Sequence, residues 1–136
     1  GHIDRLAKQA KLALDHAIRA TAKNTGLTLN LALSYDGRSD IVHAARKVAE
    51  KVARGELSVD DIDNDEFASY LLSCELPDPD LMIRTSGEFR LSNFMLWQIS
   101  YSELYFTDTL WPDFSQKELL AILTDYQDRN RRFGGL

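Results

Sequence analysis

DLMIRTSGEFRLSNFMLWQISYSE, residues 80–103, carries the strongest structural signal in the chain. Its first apolar run, Leu81 to Ile83, predicts a short buried strand. Arg84 follows that run, and the loop after it holds Gly87, a second arginine and several hydroxyl side chains. The planar fork of an arginine matches a phosphate group with two parallel N–H donors. The stretch therefore predicts a phosphate-binding loop at the carboxyl end of a strand.

Composition is that of a globular protein. The 136 residues are enough for one domain, residues 1–136, and a content of 44% hydrophobic and 27% charged residues excludes a disordered chain. The net charge of −5 excludes the broad basic surface of a general nucleic-acid binder. An anionic substrate would therefore need a local cluster of arginines.

Cysteine content and hydropathy bear on location. The single cysteine, Cys74, excludes an intramolecular disulfide and favours a reducing compartment. No apolar run reaches the roughly 18 residues of a membrane span, and no secretory signal opens the sequence. We therefore expect a cytoplasmic protein, which would meet a lipid in a pocket or through transient contact with a membrane surface.

Helices and strands are predicted in alternation along the chain. Amphipathic periodicity predicts helices over residues 3–23, 41–54 and 115–132, and short apolar or aromatic runs predict strands over 27–34, 81–83 and 103–107. The packing face of the first helix is expected to be Leu6, Ala10, Ala13, Ala17 and Ile18. This order predicts an α/β fold, with an open, mostly parallel sheet flanked by helices.

The polar segments between these elements are predicted to begin helices. In YDGRSD, residues 35–40, Ser39 or Asp40 is the expected N-cap, and Arg38 either contacts an anion or pairs with a neighbouring aspartate. The acidic run 60–66 lacks the spacing of a calcium loop, so we interpret it as helix starts capped by Ser58 or Asn64.

The last third of the chain is predicted to form a turn and a capped helix. LWPDF, residues 110–114, predicts a rigid turn that tucks Trp111 and Phe114 onto the sheet. Ser115 and Glu118 have the spacing of a capping box, which predicts the start of the last helix. The basic residues near its end either complement the helix dipole or reach an anion.

Several segments together resemble the cis-prenyltransferases of the undecaprenyl diphosphate synthase type. They are RTSGEFRLSNFMLWQ at 84–98, SELYFT at 102–107, WPDF at 111–114, RRFGG at 131–135 and YDGRSDI at 35–41. The resemblance covers essentially the whole chain and implies that family's α/β fold. It also implies an enzyme that condenses isopentenyl diphosphate with an allylic diphosphate, forms a Z double bond and releases diphosphate, with Mg²⁺ as cofactor.

The resemblance further implies roles for individual residues. Those that match the isopentenyl diphosphate site are Arg84, Arg90, Leu91 and Ser92. Arg84 and Glu88 are the expected catalytic pair, Glu88 by orienting the arginines, and Glu103 matches the acid that binds magnesium. The terminal RRFGG segment resembles a tail that reaches an active site across a dimer contact, so a homodimer is expected.

The chain departs from the family pattern in two places. The family's first motif, an Asp in a Met-Asp-Gly-Asn-Gly-Arg-Trp type loop that binds the allylic diphosphate and magnesium, has no counterpart, and Phe89 stands where many relatives carry His. The chain thus corresponds to about the second half of a family member, and we expect the first half in the same or a companion chain. A non-catalytic subunit and an unrelated phosphate-binding domain are the competing hypotheses. Retention of Arg84, Arg90, Ser92 and Glu103 argues against a purely structural subunit.

Overall fold

The computed structural model describes residues 1–129, which fold into two compact units, Gly1–Leu72 and a second that begins at Ser73. Helices and a parallel pair of strands are both present, which confirms the predicted α/β class. The single domain expected from chain length stays a prediction. No helix within residues 1–129 is both long enough and apolar enough to cross a membrane.

The first unit is helical. It contains α1, Lys8–Thr21; α2, Gly37–Ala53; and the short α3, Asn64–Ala68, with 3₁₀ turns at Ile3–Arg5 and Val59–Asp61. Ser58 caps the second of these turns, as predicted. The other two predicted caps are wrong, because Asp36 and Asp63, one to four residues earlier, accept the amide bonds that begin α2 and α3. Asp has the same capping chemistry as Ser and Asn, so sequence alone did not separate them.

Asp40 is a structural residue at the centre of this unit. Its side chain is 1% exposed, and it accepts hydrogen bonds from the Tyr35 hydroxyl and the Leu72 N–H, each at 2.8 Å. A buried carboxylate is stable only when its oxygens are satisfied in this way. Ala44 and Val48 on α2 and Leu71 form the buried apolar core beside it. The carboxylate thus ties the first turn of α2 to the end of the unit.

The strand predicted over residues 27–34 is wrong. The segment forms no ladder, and Leu27, Leu29 and Leu31 are 95%, 76% and 52% exposed. The predicted packing face of α1 is also wrong, because no residue of that helix is buried in the described chain. Leucine periodicity indicates which side of a segment prefers burial, but burial itself requires a partner, and among residues 1–129 neither segment has one that covers it.

The second unit contains the sheet. β1, Leu81–Arg84, and β2, Glu103–Phe106, pair in parallel, with Leu81 opposite Glu103 and Arg84 opposite Phe106. Both strands were predicted from their apolar runs. In the segment between the strands, the buried Gln98 donates a 2.8 Å hydrogen bond to Ser73, and Ile99 is buried as well.

α4, Gln116–Asp128, follows β2 through a 3₁₀ turn at Trp111–Asp113. Ser115 caps it by accepting from the Glu118 N–H at 3.2 Å, which confirms the predicted helix start. The second bond of the predicted capping box is replaced, because the Glu118 carboxylate accepts from the Thr107 hydroxyl. Trp111 is largely exposed and stacks on Phe114, so the prediction that it packs onto the sheet is wrong. The segment 131–135 and the predicted end of the last helix lie outside the described residues.

Candidate functional site

Arg84, the last residue of β1, lies at a cavity of about 450 Å³. The lining residues are Met82, Ile83, Arg84, Thr85, Ser86, Glu88, Leu91 and Phe94. The Arg84 Nε–H is buried, and within the described part of the chain it has no hydrogen-bond partner. A buried donor without an acceptor costs about 1–3 kcal/mol, and more on a charged group. Arg84 therefore brings to the cavity a cationic side chain with one unsatisfied donor, which suits an anionic ligand.

The loop after Arg84 is fixed to the segment that follows β2. The Ser86 N–H donates to the Thr109 carbonyl, the Gly87 N–H donates to the Thr107 carbonyl, and the Thr107 N–H donates to the Arg84 carbonyl, each at 2.9 Å. Two of the loop's own amides are thus already bonded. The Arg84 guanidinium is the charged donor among the residues that line the cavity.

Backbone conformation also constrains this loop. Ser86 and Gly87 adopt left-handed φ values of 74° and 67°, and a Cβ at Gly87 would lie 3.0 Å from an Asp108 carboxylate oxygen. A left-handed backbone costs roughly 1–2 kcal/mol for a residue other than glycine. Such strain persists only where surrounding contacts hold it, as the three amide bonds do here.

Glu88 and Arg90 form an ion pair through Glu88 Oε2 and Arg90 Nη1. Glu88 lines the cavity, whereas the Arg90 side chain is 65% exposed and is not among the lining residues. Because the pair is close to solvent, its own contribution to stability is small. Its geometric effect is to hold the Arg90 guanidinium beside the cavity rim.

Leu91 and Phe94 give the cavity an apolar side. Ser92, predicted beside Leu91, is exposed and does not line the cavity. Ser92 and Asn93 both have left-handed φ values, 48° and 63°, which turn the chain sharply between Leu91 and Phe94. The structure thus brings Arg84, Glu88 and Leu91 together and leaves Arg90 and Ser92 at the periphery.

Glu103 lies at the other end of the strands from Arg84. It begins β2 opposite Leu81, three residues before Arg84, which corresponds to about 10 Å along the sheet. Its Oε2 accepts from Arg129 Nη1 at 3.0 Å, and the same guanidinium bonds Asp125 at 2.7 Å and the Leu104 carbonyl at 3.2 Å. The hydrogen bond to Asp125, which has the larger effect, and the hydrogen bond to Glu103 both raise the pKa of Arg129.

Glu103 suits magnesium as one ligand of several. Its carboxylate is a hard oxygen donor, which Mg²⁺ prefers, although residues 1–129 contain no cluster of three acidic, histidine or cysteine side chains. Mg²⁺ in phosphate-binding enzymes commonly takes one or two carboxylates and completes its coordination with substrate phosphates and water. Glu103 could supply such a carboxylate if its bond to Arg129 leaves one oxygen for the ion.

Sequence reasoning missed Thr107 and Glu118 as parts of this site. The Thr107 hydroxyl donates to Glu118 Oε1 at 2.6 Å and accepts from the Thr109 N–H at 3.3 Å. Glu118 was assigned only to helix capping. The contact joins residues eleven positions apart, and no periodic pattern indicates it.

Comparisons with known proteins give a consistent result. The family model described as "Putative undecaprenyl diphosphate synthase" matches residues 1–134. The isoprenyl transferase of Bacillus subtilis is 55% identical over 124 residues, which are 91% of this chain and 48% of that protein. The isoprenyl transferase of Geobacillus kaustophilus is 50% identical over 136 residues, 100% of this chain and 53% of that protein. The chain therefore spans about half the length of the curated relatives it matches.

Two solved structures are also similar. Lavandulyl diphosphate synthase from Lavandula x intermedia, in complex with dimethylallyl diphosphate, superposes with a TM-score of 0.95 at 44% identity, covering 99% of this chain and 58% of that one. A probable undecaprenyl diphosphate synthase from Campylobacter jejuni gives a TM-score of 0.83 at 34% identity, covering 99% of this chain and 61% of that one.

Proposed function

The chain belongs to the undecaprenyl diphosphate synthase family of prenyltransferases. On this basis we propose that it carries the part of a cis-prenyltransferase active site that binds isopentenyl diphosphate. The reaction joins isopentenyl diphosphate to an allylic polyprenyl diphosphate and yields a Z-polyprenyl diphosphate of the undecaprenyl lipid-carrier type. The observation that carries the proposal is Arg84, which lines a cavity and whose buried Nε–H lacks an acceptor in the described chain.

Arg84 is the proposed anchor for the diphosphate of isopentenyl diphosphate. Its guanidinium is the cationic group that lines the cavity, and a phosphate oxygen there would satisfy the buried donor. Glu88 lines the same cavity and forms an ion pair with Arg90, and we assign to it the role of orienting that guanidinium toward the same anion. Leu91 and Phe94 offer an apolar surface to the isopentenyl carbons. Ser92, at the periphery of the cavity, is assigned to the outer phosphate by its match to the family motif alone.

The reaction itself depends on charge placement. The allylic C–O bond breaks as diphosphate leaves with its electron pair, the isopentenyl double bond forms the new C–C bond, and loss of a proton gives the Z alkene. Fixing both substrates in one orientation supplies much of the rate, and fixed donors stabilise charge on the phosphates. Mg²⁺, when bound, neutralises diphosphate charge. We assign Glu103 to holding that ion and not to orienting Arg84, because about 10 Å separates the two residues along the strands.

The first unit has an uncovered apolar groove that a companion segment could fill. Ile18 and the leucines of residues 27–33 line an open groove of about 550 Å³, and Leu27, Leu29 and Leu31 are largely exposed. About half of each curated relative has no counterpart in this chain. We propose that the equivalent of this other half, in the same or a companion chain, covers the groove and supplies the allylic diphosphate site. A cytoplasmic homodimer with transient membrane contact belongs to the same proposal.

A reconstitution assay tests the proposed function. The chain is mixed with a polypeptide that carries the other half of a relative, and incorporation of radiolabelled isopentenyl diphosphate into polyprenyl product is measured with Mg²⁺ present. We expect product from the wild-type mixture, a severe loss with Arg84→Ala, and normal activity with Arg46→Ala, a matched change on the exposed side of α2. Absence of product from two folded partners would contradict the enzymatic proposal and favour the non-catalytic subunit.

A further inference from the structure

We propose that Glu118, on the first turn of α4, is a positioning residue that holds the Arg84 loop in its ligand-binding conformation through Thr107. The inference rests on the proposed function, since the loop it positions is the proposed diphosphate seat. Glu118 does not line the cavity, so its action on a ligand would be indirect.

The link consists of consecutive hydrogen bonds. Glu118 Oε1 accepts the Thr107 hydroxyl at 2.6 Å, the shortest of the bonds in this chain of contacts. The Thr107 backbone then bonds the loop from both of its polar groups, donating to the Arg84 carbonyl and accepting from the Gly87 N–H, each at 2.9 Å. A hydroxyl that donates to a carboxylate makes a charge-assisted bond, which is stronger than a neutral one.

Thr107 is further fixed by Thr109. The Thr109 N–H donates to the Thr107 hydroxyl oxygen at 3.3 Å, and the Thr109 carbonyl accepts from the Ser86 N–H at 2.9 Å. The Thr107 hydroxyl thus has polar contacts with both Glu118 and Thr109, whose own hydroxyl also lies 3.3 Å away. The left-handed residues Ser86 and Gly87 thus donate their amide bonds to the carbonyls of Thr109 and Thr107, in the segment that Glu118 contacts.

Glu118 has two roles that can be separated. Its backbone N–H donates to the Ser115 hydroxyl and so begins α4. In a capping box, the side chain of the third residue returns to the N-cap amide. Here the Glu118 carboxylate is directed at Thr107, outside the helix. Removing the Ser115 hydroxyl would weaken the helix start and leave the contact with Thr107 in place.

The experiment compares Glu118→Ala, Glu118→Gln and Ser115→Ala in the full chain, with inorganic pyrophosphate as the probe. Calorimetry gives the Kd, and NMR gives the hydrogen-exchange rates of the Ser86 and Gly87 amides. We expect Glu118→Ala to weaken binding roughly tenfold and to speed exchange at both amides, in line with loss of one charge-assisted bond. Glu118→Gln keeps an acceptor oxygen and should stay within roughly threefold of wild type. Ser115→Ala should lower Tm without changing the Kd.

Unchanged exchange and unchanged Kd in Glu118→Ala would overturn the positioning role. An equal loss of binding in Ser115→Ala would also overturn it, because the effect would then come from the helix as a whole. If the wild-type chain does not bind pyrophosphate, the proposed diphosphate seat fails. The exchange rates alone then decide whether Glu118 orders the loop.

Discussion

Replacing Arg84 by methionine is expected to lower activity without lowering stability. Methionine keeps an unbranched side chain of similar length, so the packing of the arginine stem is largely retained. The change removes the guanidinium, whose Nε–H is buried and lacks an acceptor within residues 1–129. Since an unsatisfied buried donor costs about 1–3 kcal/mol, its removal should leave the free energy of unfolding unchanged or raise it by up to that amount.

Activity should fall steeply in the same variant. Loss of one fixed donor at a developing charge typically removes about 2–4 kcal/mol of transition-state stabilisation, or roughly 30- to 900-fold in kcat/KM. Urea denaturation of the chain and the reconstituted transfer assay measure the two quantities. Arg129 is the matched contrast, because its guanidinium is bonded to Glu103, Asp125 and the Leu104 carbonyl. Arg129→Met should therefore destabilise the chain.

Two results would contradict the assigned role of Arg84. A loss of more than about 1 kcal/mol of stability in Arg84→Met would show that the guanidinium has a structural partner. Activity within about twofold of wild type would show that no substrate charge depends on it.

Three further variants test other parts of the structure by denaturation. Gly87→Ala should lower the free energy of unfolding by about 1–2 kcal/mol, because Gly87 has a left-handed φ. Gly26→Ala, at a position with open space around it, should be nearly neutral. Equal effects of the two changes would contradict the assigned backbone strain. Asp40→Ala should cost about 3 kcal/mol, because it removes a buried carboxylate that accepts from the Tyr35 hydroxyl and the Leu72 N–H. Asp36→Ala, which removes a cap at an exposed helix start, should cost about 1 kcal/mol, and a reversed order would contradict the assigned core role. The pKa of Arg129 is higher in the folded state than in the unfolded state. The charged guanidinium therefore contributes its full stabilisation of the fold at any pH below its ordinary pKa, and that contribution is lost only as the pH rises through the raised pKa. The stability difference between wild type and Arg129→Met should therefore not decline from about pH 6 to about pH 10, and a steady decline across that interval would contradict the ion pairing.

Local signals in the sequence predicted the elements that depend on short-range chemistry. The apolar run before Arg84 and the aromatic run after Glu103 gave both strands, and the Ser115 spacing gave the start of α4. Burial is not local, and residues 27–34 show this, because their leucine pattern predicted a buried strand that the described chain does not pair or cover.

The residues of the site also divide into those that local sequence predicts and those that depend on long-range packing. Arg84, Glu88 and Leu91 come from one short segment, so their grouping at one cavity could be predicted. The separation of Glu103 from Arg84 depends on strand register, which brings Leu81, and not Arg84, opposite Glu103. The contact between Thr107 and Glu118 depends on how α4 packs after the turn at Trp111–Asp113, which the sequence pattern does not specify.

Binding of isopentenyl diphosphate at Arg84 can be followed by NMR of the isotope-labelled chain, through the arginine Nε–H resonances during a titration with that substrate. We expect a large downfield shift of the Arg84 Nε–H, because that proton has no acceptor within residues 1–129 and would gain one from the diphosphate. We expect little change at Arg129, whose Nε–H already bonds Asp125. A titration that leaves the Arg84 resonance in place, or that shifts Arg129 instead, would contradict binding at Arg84.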